Sequence, residues 1–116
     1  MSNLLEHIDS KLKSALPELE QKLSLLFGDK LRKIILYGSY ANGSHDDESD
    51  VDILIVVDVQ NVRSYNKQLS LIELELFRKF DLLFSIIPES EKFYLNNSDS
   101  LPFFRNVVKE GIAVYG

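Results

Sequence analysis

Apolar residues open the chain at helical spacing: Leu4, Leu5, Ile8, Leu12, Ala15 and Leu16, then Leu19, Leu23, Leu26 and Phe27, with charges between them. This pattern predicts a helix over 3–27, either kinked at Pro17 or split there into two, since proline is tolerated in the first turn of a helix. Gly28 supplies the stop. The runs then shorten. Leu31 to Tyr37 (LRKIILY) and Val51 to Val57 (VDILIVV), the second rich in β-branched residues, predict strands. Between them, Gly38 ends the first run, 39–42 fit a helical turn, and 43–49 (GSHDDES) have turn composition with no apolar residue. Leu69, Ile72, Leu76 and Phe77 mark an amphipathic helix within 62–79. Phe80 to Ile87 (FDLLFSII) predicts a third strand closed by Pro88. Residues 89–100 are polar and open between a loop and a short helix within one. A further helix over 101–109 is capped by Gly111, and Ile112 to Tyr115 predicts a short last strand.

The predicted order is α, β, β, α, β, α, β, without repeat, low-complexity linker or domain boundary. That is one α/β domain over 1–116. A chain of this length can bury a single real core.

Charge and composition narrow the function. The net charge of −5 argues against general affinity for nucleic acid, which needs basic surface to displace counterions. The sequence has no cysteine, which removes disulfides, thiolate metal sites and cysteine nucleophiles. The first residues carry charges every few positions and lack the apolar core of a signal peptide. The apolar runs are far too short to span a membrane. A cytoplasmic protein is expected.

The second strand carries the chemistry. Asp50 and Asp52 lie two residues apart, so on a strand both carboxylates leave one face. Like charges that close repel, more so when buried, and a hard cation between them relieves the repulsion. Magnesium suits such a site because it takes a few carboxylates and keeps positions for water and phosphate. Asp81, in the third apolar run, needs the same explanation and would reach the site if the strands are neighbours. Gly38 and Ser39 stand where a strand ends and a helical turn begins, a place where backbone N–H groups and a hydroxyl hold phosphate. Together these are a phosphate cradle, two or three carboxylates and room for two metal ions, the parts of an in-line displacement at phosphorus.

Each part alone is ordinary. A Gly-Ser at a strand end is usually a turn, and an Asp-x-Asp is usually a solvated edge. Gly-Ser, ten residues, then Asp-x-Asp is rarer, arising in roughly one random chain of this length in a thousand. This pattern, with GSYANG at 38–43 and SDVD at 49–52, resembles the minimal nucleotidyltransferases of the DNA polymerase beta-like superfamily. The closing FFRNVVKEGIAVYG resembles that family's C-terminal end.

The resemblance implies a small mixed β-sheet flanked by helices. It also implies that Gly38, Ser39 and Ser49 serve the nucleotide, with Ser49 supporting the loop. Asp50 and Asp52 would hold two Mg2+ ions, and Asp81 would complete the metal site and help the acceptor hydroxyl lose its proton. Asn42 stands where many members have arginine, so that arginine's phosphate contact is not carried over here. Outside the motif, His45 reads as a solvated loop residue or a phosphate contact, and Tyr40 as packing on a helix or on a base. His7 reads as structural or exposed. Lys30, Arg32, Lys33, Arg63, Lys67, Arg78 and Lys79 read as solvated ends of elements, or in part as a docking surface.

The donor the resemblance implies is ATP. The acceptor then comes from a partner or another copy, because the sequence holds little beyond the catalytic core. Members of this size resemble the antitoxin of a toxin–antitoxin pair, whose partner is a HEPN-type ribonuclease encoded by a neighbouring gene and silenced by AMP on a tyrosine. A hetero-oligomer follows from that reading. The alternatives are an antitoxin that neutralises by binding alone, and nucleotidyl transfer to a small-molecule hydroxyl such as that of an aminoglycoside.

Overall fold

The computed structural model describes residues 9–116, so Leu4, Leu5, His7 and Ile8 lie outside the described residues. Helix α1 (Ser10–Phe27) starts at Asp9, whose Oδ1 accepts from the N–H groups of Lys11 (2.8 Å) and Leu12 (3.4 Å). It buries Leu12, Ala15, Leu16, Leu19, Leu23 and Phe27, one stripe of a 3.6-residue period. Pro17 lies inside it, and the helix runs on as one element. Proline has no N–H, so the Lys13 carbonyl goes without that helical bond.

A 3-10 turn at Gly28–Lys30 leads into β1 (Leu31–Tyr37). The short helix α2 (Ser39–Asn42) and a polar loop connect it to β2 (Val51–Val57). A second 3-10 turn (Val62–Tyr65) and α3 (Asn66–Phe80) lead to β3 (Phe84–Ser90). The chain closes with α4 (Glu91–Asn97), α5 (Pro102–Glu110) and β4 (Ile112–Tyr115). Residues 89–100 thus combine the end of a strand, a helix and a turn. Ser90 caps that helix by accepting from Phe93 N–H at 3.2 Å.

The four strands form one mixed sheet in the order β3-β2-β1-β4. Strand β1 pairs antiparallel with both β2 and β4, and β2 pairs parallel with β3. A parallel pair requires a crossover, and α3 supplies it. Central strand β2 is covered on both faces, which explains its unbroken apolar run. Val51, Ile53, Ile55 and Val57 join the core under α1 and α3. Leu54 and Val56 face the other way, onto Tyr94 of α4 and Phe104 and Val107 of α5. Asp52 alone in this strand escapes full burial.

Strand β3 differs from expectation at both ends. It begins at Phe84, not Phe80, because Asp81 adopts a left-handed conformation (φ 57°) and donates its N–H to the Phe77 carbonyl at 2.8 Å. Aspartate tolerates that conformation better than most residues. Nor does Pro88 close the strand, which runs on to Ser90 with Pro88 opposite Ile55. Proline is tolerated because β3 is an edge strand. On the same edge, the Ile86 N–H is taken by the Glu73 carboxylate of α3 at 2.9 Å.

Candidate active site

The end of β1 and the start of β2 meet at the mouth of the sheet. Antiparallel register places Tyr37 opposite Asp52. Gly38 follows with φ 76° and ψ −155°, a backbone conformation that a side chain would strain. A Cβ at Gly38 would collide with Asp52 Oδ2 and lie 3.2 Å from its Cγ. The carboxylate therefore rests against the bare glycine, directly before the first turn of α2. The Gly38 carbonyl accepts from the N–H groups of Ala41 (3.0 Å) and Asn42 (3.2 Å), which fixes that turn. Ser39, half-buried, is its first residue.

Asp50 is exposed just before β2, and Asp52 is half-buried within it. Burial raises the Asp52 carboxyl above its ordinary pKa, and the Asp50 charge raises it further. The Asp50 charge thus reaches Asp52. Tyr37 is pushed up to about 12, first by burial and then by the Asp52 charge. On the other side, β3 places Ser85 beside Asp52. Neighbouring residues in register share a face, so Asp52 stands between a tyrosine and a serine.

Asp81 is not brought into this pair. It stands at the end of α3, before β3, and lines a 310 Å³ groove with Asp9, Lys11, Tyr40, His45, Asp46, Asp47 and Leu82. Among the described residues no three acidic or histidine side chains are grouped to hold a metal. The convergence of three carboxylates expected from the sequence is therefore absent from this arrangement, because the αL cap at Asp81 precedes the strand that was to carry it.

The loop between the motif halves is held by its own polar groups. Ser49 Oγ accepts from Asp46 N–H at 3.0 Å, and the Ser49 N–H donates to the Asp46 carbonyl at 3.1 Å. Asn42 Oδ1 accepts from the Ser44 N–H (2.9 Å) and hydroxyl (2.6 Å), so this side chain is turned into the loop. His45 stacks on the buried Tyr40 ring at 4.0 Å and 12°. Tyr40, read as packing on a helix or on a base, packs into the core. Neighbouring Ser85 and Tyr37 were missed in the sequence. Ser85 is polar within an apolar run, the only signal that could have drawn notice; Tyr37 required the register.

The chain matches the nucleotidyltransferase domain family over residues 12–113, and it belongs to that family. It is 37% identical to MJ0604 of Methanocaldococcus jannaschii, which is named as a candidate protein adenylyltransferase, over 87% of this chain and 95% of that protein. A second such protein of the same organism, MJ0141, is 39% identical over 60% of this chain and 71% of its own length. Among solved structures, a toxin–antitoxin with AMP-PNP has a TM-score of 0.52 at 23% identity, covering 84% of this chain and 73% of that one. A mutant of the toxin–antitoxin MntA-HpeT has a TM-score of 0.57 at 18% identity, covering 87% and 72%. At these identities the structural likeness is one of fold.

Proposed function

We propose that the chain is a magnesium-dependent adenylyltransferase that moves AMP from ATP to a tyrosine of a HEPN-type ribonuclease toxin encoded beside it, and so acts as the antitoxin. The observation that carries the reading is the Asp52 carboxylate resting on Gly38 with Asp50 acting on it. That apposition joins the place for phosphate to the place for a cation. The candidate protein adenylyltransferases among the relatives support a protein acceptor. The toxin–antitoxin setting of the fold neighbours, one of them with AMP-PNP, supports the partner and the donor.

The residues fit a hard divalent cation. Their donors are carboxylate oxygens, and the Asp52 carboxyl is raised first by burial and then by the Asp50 charge, a repulsion that a cation would remove. Asp50 and Asp52 would hold two Mg2+ ions, which supply charge neutralisation at the transferred and departing phosphates. Gly38 admits the phosphates close to the backbone, Ser39 offers its N–H and hydroxyl, and Ser49 holds the loop. The acceptor oxygen bonds to the α-phosphorus as the bond to the bridging oxygen breaks, and pyrophosphate leaves. Asp81, exposed at this end of the sheet, takes the hydroxyl proton from outside the metal pair. Leu83, 55% exposed beside the start of β2, supplies apolar surface for a docked acceptor.

The test is to mix the chain with the protein of the adjacent gene, ATP and magnesium, and to weigh both intact. One or more AMP masses on the neighbour, lost with Asp52→Ala, is expected. Co-elution without added mass would instead favour neutralisation by binding, and AMP only on an added aminoglycoside would move the acceptor to a small molecule.

A further inference from the structure

The sheet face that presents Asp52 is bounded by aromatic rings. Tyr37, opposite Asp52, meets the Phe103 ring edge-on, with centroids 5.4 Å apart at 88°. Phe103 lies in the first turn of α5 and leans on Phe104 at 5.6 Å. Phe104 is buried and packs on Tyr94 at 5.4 Å. Phe103 is therefore braced by two rings, yet it remains 42% exposed. A braced ring has already lost its side-chain freedom, so a ligand that covers it incurs little ordering cost. Tyr37 also immediately precedes Gly38, so the aromatic corner adjoins the phosphate cradle along the backbone.

We propose that Phe103, braced by Tyr37 and Phe104, is the stacking platform for the base of the donor nucleoside triphosphate. This rests on the phosphate cradle of the proposed function and adds the subsite that the cradle lacks. Every base has a π-face, so a bare ring accepts any of them and discriminates by stacking strength. The larger purines are favoured over pyrimidines. Phosphate and cation contacts then give the base-independent part of the affinity, and Phe103 gives the base-dependent part.

The experiment is calorimetric titration of the chain in magnesium with AMP-PNP and, separately, with inorganic tripolyphosphate, for the native sequence, Phe103→Ala and Phe103→Trp. Phe103→Ala is expected to weaken AMP-PNP by about five- to a hundredfold while leaving tripolyphosphate within about twofold. Phe103→Trp is expected to restore or tighten AMP-PNP. Unchanged AMP-PNP binding in Phe103→Ala would overturn the proposal, as would equal loss of both ligands, which marks a structural role. If the native chain binds tripolyphosphate as tightly as AMP-PNP, the platform fails and the cradle stands. If it binds neither, the cradle fails and the platform with it.

Discussion

The carboxylate of Asp52 occupies the space that a side chain at Gly38 would need. Gly38 directly follows β1 and Asp52 lies in β2, fourteen positions apart in sequence, and the register of β1 and β2 brings them together. The glycine of the motif thus answers to the aspartate of the motif.

Gly38→Ala therefore combines a positive φ with a collision. It is expected to destabilise the fold by roughly 1–3 kcal/mol, the usual cost of a non-glycine residue held in such a region. It should also displace Asp52 and abolish magnesium-dependent nucleotide binding. Chemical denaturation and calorimetry check the two effects separately. Native-like stability together with native affinity would refute the apposition.

Asp52→Asn tests the charge. The folded-state carboxyl is raised above its ordinary value, so between the two values the folded state binds more protons than the unfolded state. Stability contributed by the neutral form is present at low pH and falls as pH rises through that window. In metal-free buffer at neutral pH, Asp52→Asn should melt at an equal or higher temperature than the native chain and lose this part of the pH slope. Transfer activity should vanish. A melting temperature many degrees lower would assign Asp52 a structural role.

Asp50 and Asp81 should separate in a metal-binding assay. Asp50→Asn is expected to weaken Mn2+ binding, read by electron paramagnetic resonance, by tenfold or so, about the effect of one lost charge-assisted contact. Asp81→Asn should leave it unchanged while slowing transfer. Ser85→Asp, beside Asp52 in register, should tighten it. Equal losses from Asp50→Asn and Asp81→Asn would return Asp81 to the metal site.

Pro17→Ala restores a backbone donor in the middle of α1 at an exposed position. Proline disfavours a helix interior by up to about 3 kcal/mol against alanine, less what its stiffness removes from the unfolded chain. A gain on the order of 1–2 kcal/mol in urea denaturation is expected.

Much of this was legible in the sequence, and the exceptions have physical causes. The helical stripe of α1 and the apolar run of β2 announce themselves because burial on one stripe or on two faces leaves a periodic trace. The nearness of Gly38 to Asp52 is seen in the register. Asp81 was misplaced because Phe80, Leu82 and Leu83 are apolar whether they end a helix or begin a strand. Only the left-handed backbone at Asp81 separates the two. Phe103 and Phe104 are adjacent and chemically identical. Which one is buried depends on how α5 rolls onto β1 and β2, and no local pattern records that roll.

Strand β3 bears on how the molecule meets others of its kind. Its outward-facing donors are the natural template for another strand, and two of them are disabled in different ways. Ile86 is already occupied by Glu73, and Pro88 has no hydrogen to offer. An incoming chain that tried to extend the sheet there would find successive rungs missing, a common safeguard against fibrous growth. Recognition on this side of the molecule must then proceed through side chains rather than through backbone ladders, which leaves the sheet a finished unit at that edge.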